Sequence, residues 1–93
     1  MIKTKAHIKL YKNGRITPFH SGYRPLFSFI EDMKISGKIN LFDKLKFSPG
    51  EVGEVEITFL NSKYLGDDFE IGKKFTFGEG EKPLGEGEIT AIL

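Results

Sequence analysis

The chain contains no cysteine, no tryptophan and only two histidines. Without cysteine there can be neither a disulfide nor a thiolate metal centre, and the composition fits a reducing compartment. His7 and His20 lie far apart in sequence. The neighbouring pair His20–Ser21 is not a catalytic triad, because that chemistry needs a third orienting group and an oxyanion site converging in space. No apolar run approaches the ~20 residues that cross a membrane. The opening "MIKTKAHIKLYKNG" carries a lysine every few residues, so it does not read as a secretory signal. The expectation is a cytoplasmic protein with no membrane partner. A length of 93 residues corresponds to a single domain spanning 1–93.

Two stretches resemble ligand loops and fail the test of spacing. "GEGEKPLGEG", Gly78 to Gly87, is glycine-rich. It lacks the Gly-Lys-Ser/Thr ending of a phosphate loop, and its Glu79, Glu81 and Glu86 would repel phosphate. Hairpin glycines between two strands account for it. In "GDDFE", Asp67, Asp68 and Glu70 lack the glycine and bidentate glutamate of a calcium loop and read as a solvated turn. With no convergent nucleophile, base and oxyanion donors, the expectation is a non-enzyme with no cofactor, no metal and no bound nucleotide.

What the chain does have is phenylalanine, nine of them, at positions that alternate. "KAHIKLY" sets Ala6, Ile8 and Leu10 on one face and Lys5, His7 and Lys9 on the other. "LFSFIEDM" pairs Phe27 with Phe29. "KISGKINLF" spaces Ile35, Ile39 and Leu41 evenly, with Gly37 at a bulge or close crossing. "SPGE" is a turn, since Pro49 presets φ and Gly50 supplies a positive φ. "EVEITFL" puts Val55, Ile57 and Phe59 inward, and "KKFTF" does the same for Phe75 and Phe77. "GEITAIL" closes with Ile89 and Ala91 opposite Thr90 and Ile92. No helical periodicity appears. Six short strands with Gly/Pro turns predict an all-β fold, either a sandwich or a closed barrel. The barrel is preferred because closure removes exposed edges. Its interior would be filled by phenylalanine, so function belongs to the outer surface and the loops.

Charge is distributed unevenly along the chain. Residues 1–46 carry ten Lys and Arg against three acids, whereas residues 47–93 carry four lysines against ten acids. If the halves form separate surfaces, the molecule has a basic face and an acidic face. If they interleave in a closed sheet, the charges pair and largely cancel.

The stretch "NGRITPFHSGYRPLFSF", Asn13 to Phe29, is the most specified. Its glycines and prolines shape a tight crossing and enter a strand without a spare N–H. They do not explain Arg15, whose planar fork suits a phosphate. Arg24, beside Pro25, reads as a structural partner for a carboxylate or carbonyl. This stretch resembles the segment of translation elongation factor Tu in which Gly-Arg-His-Thr-Pro-Phe precedes Gly-Tyr-Arg-Pro and an aromatic strand. The likeness continues through "SGKINL", "SPGE" and "KKFTFGEGEKPLGEGEITAIL", covering roughly Lys5 to Leu93. The resemblance implies that family's third domain standing alone, a closed six-stranded antiparallel barrel without the GTPase domain.

It further implies two surfaces, one for the stem backbone of aminoacyl-tRNA and one for protein partners. The matching RNA-contact positions are Arg15, Ser36 (threonine in the family), Glu79 and Gly80. Departures fall at Ile16 for histidine, Leu26 for glutamine, Asn61 for a basic residue or histidine, Lys82 for arginine and Thr76 for alanine. "KYLGDDFEI", Lys63 to Ile71, is an insertion. The expected function is a translation-linked protein-interaction module or mimic, with a weak tRNA-binding module as the alternative.

Overall fold

The computed structural model describes all 93 residues. They form β1 (Ile2–Leu10), β2 (Leu26–Ile30), β3 (Met33–Leu41), β4 (Val52–Phe59), β5 (Lys74–Gly78) and β6 (Pro83–Ile92). Every pairing is antiparallel, and the sheet closes in the order β1-β4-β3-β2-β5-β6. The protein is therefore an all-β, closed six-stranded antiparallel barrel, as the alternation predicts.

Each strand turns its inward set to one core of 15 buried apolar residues. Seven of these are phenylalanines, and their rings meet mainly edge-on or tilted, as Phe27 does with Phe59 at 5.2 Å between centroids and with Phe75 at 5.6 Å. The expected inward residues Ile8, Phe29, Val55, Ile57, Phe59, Phe75 and Phe77 are all buried. Ile35, Leu41 and Ala91 are only half-buried.

Two strands begin earlier than alternation marks them. β1 starts at Ile2 because Thr4 takes an inward position, fully buried, its hydroxyl donating to the Ile57 carbonyl at 3.0 Å. A hydroxyl at a core position breaks the apolar period and hides the strand's first turn. β6 starts at Pro83, so Gly85 and Gly87 belong to the strand and not to the hairpin. The reason is ring size: a Cβ on Gly85 would sit 2.3 Å from the Phe77 ring. Gly37 is a close crossing of the same kind, with the Phe27 and Phe59 rings each 2.8 Å from a Cβ placed there.

Strand direction alternates around the barrel, so the connections sort into two ends. The upper end holds the 11–25 and 42–51 loops and the 79–82 hairpin. The lower end holds the 31–32 turn and the 60–73 connection. That connection contains the stretch Lys63 to Ile71, and it plugs the barrel with buried Leu65 and with Phe69, whose ring meets Phe29 at 5.2 Å.

The charge question is settled by strand order. β1, from the basic half, lies between β4 and β6, from the acidic half. Lys5 stands opposite Glu56, His7 opposite Glu54 and Glu88, and Lys9 opposite Glu86. Over these strands the halves interleave and their charges offset.

Candidate functional site

The upper end is organised by the loop that follows β1. The Tyr11 N–H donates to the Leu84 carbonyl at 2.9 Å, and Phe19 and Phe47 exchange backbone hydrogen bonds of 3.0 and 2.9 Å. These bonds tie the 11–25 loop to the 42–51 loop. Gly22, at a φ of 97°, lets the chain reverse so that its N–H reaches the Ile39 carbonyl at 2.8 Å. Tyr23 then stacks on Phe19 at 4.5 Å, and Phe19 on Phe47 at 5.3 Å. The three rings form a stack that continues the core into the upper end.

Arg15 lies against this stack. Its guanidinium carbon is 4.9 Å from the centre of the Tyr23 ring, a cation–π contact. Its Nε donates to the Thr17 carbonyl at 2.9 Å, and its Nη1 is ion-paired with Glu79 Oε2 from the hairpin. The Tyr23 hydroxyl donates to that same oxygen at 2.6 Å. Burial, then the hydrogen bond to Glu79, pushes the Tyr23 phenol well above the ordinary tyrosine range. Tyr23 therefore stays a proton donor to Glu79 at neutral pH. Next to Glu79, the Gly80 carbonyl accepts from Lys34 Nζ at 2.6 Å.

Of the residues singled out from sequence, Arg15, Glu79 and Gly80 meet at one place. Ser36 does not join them. It is exposed on the outer face of β3, paired with Leu26, and makes no side-chain hydrogen bond. Tyr23 is the participant that sequence reasoning missed. Its only signal was its place in "GYRP", where glycine and proline drew the explanation.

Arg24 is not a structural partner. It is exposed and forms neither ion pair nor hydrogen bond, and the register sets Lys38, another cation, opposite it. Asn61 lies at the lower end, where its Oδ1 accepts from the Lys63 N–H at 2.8 Å. Leu26 and Thr76, two of the departures noted above, line one polar groove of about 510 Å³ between the 79–82 hairpin and the β2–β3 hairpin.

The upper end also exposes apolar surface. Ile16 is 96% exposed on the loop that carries Arg15, and Leu45 is 89% exposed on the loop stapled to it. Lys44, beside Leu45, is fixed by an ion pair with Glu51 and by a cation–π contact with Phe47 at 4.9 Å. The Lys44 hydrogen bond and the Ser48 N–H hold the Glu51 carboxyl below its usual range. No protein-family model matches the chain.

Proposed function

We propose that the protein is a non-enzymatic binding module of the elongation factor Tu third-domain type, and that it engages a protein partner through its upper end. The observation that carries this reading is the pair Ile16 and Leu45, nearly fully exposed on two loops held to each other by backbone bonds and stacked rings. Exposed aliphatic side chains on loops already bonded to each other gain from burial against a partner. A barrel of this type fits a translation-linked interaction module or mimic.

A second reading is a weak tRNA-binding module. It is favoured by the meeting of Arg15, Glu79 and Gly80, three positions that match the family's stem contacts. Against it stand the Arg15 fork, already engaged by Glu79 and Thr17, and two of the β1 lysines, Lys5 and Lys9, which stand opposite Glu56 and Glu86.

The test is capture from native cell extract by wild type and by Ile16→Asp/Leu45→Asp, scored for protein and for tRNA. The expected result is a protein retained by the wild type and lost from the variant, with no tRNA enrichment. Enrichment of tRNA that the variant keeps overturns the protein-partner reading.

A further inference from the structure

A row of cations crosses the outside of the barrel away from the Arg15 cluster. Between the Tyr23–Ile39 and Leu26–Ser36 pairs, Arg24 falls opposite Lys38. Lys38 pairs with Thr58, and Thr58 pairs with Lys3. Arg24, Lys38, Thr58 and Lys3 therefore stand side by side on four adjacent segments, all facing out. At the usual strand spacing the row is about 14 Å long. None of the three cations has an ion pair, a side-chain hydrogen bond or a ring beneath it.

This contrasts with the rest of β1, where each outward cation faces glutamate. Here three free cations line up without an acid among them. Arg24 and Lys38 also share a small cleft of about 60 Å³ with the hydroxyl-bearing residues Ser36 and Thr58 and with Met1 and Leu60. Two cations and two hydroxyls around one cleft make a receptor for an oxyanion.

The rows on either side decide which oxyanion. On one side lie Leu26 and Ser36, with Leu60 following the Gly37–Phe59 pair; Leu60 is 69% exposed. On the other side lie Asn40, Glu56 and Lys5. A nucleic-acid backbone laid over the cations would cover aliphatic surface on one flank and the Glu56 carboxylate on the other. A peptide whose carboxylates alternate with aliphatic side chains matches both the cationic row and its apolar flank.

We infer that the Arg24–Lys38–Lys3 row docks an acidic segment of a protein partner, its carboxylates on the cations and its aliphatic side chains on Leu26 and Leu60. This rests on the protein-partner reading above and names that partner's chemistry. An extended stretch of about four or five residues spans the row.

The probe is a short fluorescein-labelled peptide of alternating Glu and Leu, followed by anisotropy at low and at physiological salt. Its controls are a Gln-for-Glu peptide, a Ser-for-Leu peptide and a short single-stranded RNA. The Glu/Leu peptide should bind, and salt should weaken it. Arg24→Ala/Lys38→Ala should weaken it about tenfold, the sum of two partly exposed charge contacts. The charge-matched control Lys63→Ala/Lys82→Ala should leave affinity unchanged, and each altered peptide should bind several-fold more weakly.

Absence of binding, or an equal loss in the charge-matched control, overturns the inference. RNA that binds more tightly than the peptide, and is lost in Arg24→Ala/Lys38→Ala, reassigns the row to nucleic acid. Ile16→Asp/Leu45→Asp should keep the peptide. If the peptide fails while the upper-end pair still captures its protein, the row alone is wrong. If the upper-end capture fails, the module reading falls whatever the peptide does.

Discussion

Arg15 and Arg24 belong to one loop, and the barrel treats them oppositely. Arg15 is packed on an aromatic ring, bonded to a carbonyl and paired with a carboxylate, so its side chain is only 24% exposed. Arg24 is exposed and has no partner. Both sit in short motifs bounded by glycine and proline, and the motif does not distinguish them. Register does. The hairpin at 79–82 brings Glu79 onto Arg15, whereas strand pairing sets Lys38, another cation, opposite Arg24. Whether a guanidinium holds a loop or presents charge is decided by what the far strands place beside it.

Both regions depend on the barrel beneath them, so the largest effect should come from the core. Phe59 is fully buried and touches the rings of Phe27 and Phe29. Phe59→Ala should cost about 3–5 kcal/mol in urea unfolding. A loss under about 1 kcal/mol would mean that the aromatic core does not hold the two regions in place.

A smaller effect should separate the two arginines directly. Arg15→Ala removes a hydrogen bond and an ion pair that is half in solvent, and it should cost about 1 kcal/mol. Arg24→Ala should stay within about 0.5 kcal/mol of wild type, as surface positions do. Equal costs for the two would erase the distinction.

Smaller still is the pH dependence of the Arg15 cluster. The Tyr23 phenol is raised in the folded state, by burial first and by Glu79 second. Its contribution is fully present below the unfolded tyrosine pKa of about 10. It is lost as pH rises through the higher folded value, because the unfolded chain gives up the proton first. Stability should therefore decline above about pH 10, and Tyr23→Phe should flatten that decline. An identical alkaline profile in Tyr23→Phe would place the loss elsewhere.

The acid side behaves oppositely. Glu51 is held down by Lys44 and the Ser48 N–H, so its contribution is present at neutral pH and lost as pH falls below the usual glutamate range. Glu51→Gln should remove that part of the acid-side decline in an unfolding series. An unchanged decline would show that the Lys44–Glu51 pair adds nothing to folding.

Much of the fold can be read from alternation, because inward phenylalanines and outward charges leave a clean period of two. The reading falters where an inward position is not apolar, as at Thr4, or is a glycine making room for a ring, as at Gly85. Phe19, Phe47 and Leu65 also join the core, yet each lies in a loop, where no period points inward. The Arg15 cluster was half visible. Arg15, Glu79 and Gly80 stand in recognisable motifs, but Tyr23 enters through a ring contact with Arg15 and a hydrogen bond to Glu79 that spans 56 residues, neither of which alternation marks. The Arg24 row was invisible, since it exists only once four segments are set in register.

The most direct measurement of the contrast is on the arginine side chains themselves, through their Nε–H resonances in ¹H–¹⁵N NMR spectra at neutral pH. The Arg15 proton, donated to the Thr17 carbonyl in a rigid cluster, should exchange slowly with water and share the backbone's order. The Arg24 proton should exchange fast and report a mobile side chain. Slow exchange at both, or at Arg24 alone, would contradict the account that one arginine holds the loop while the other is free to bind.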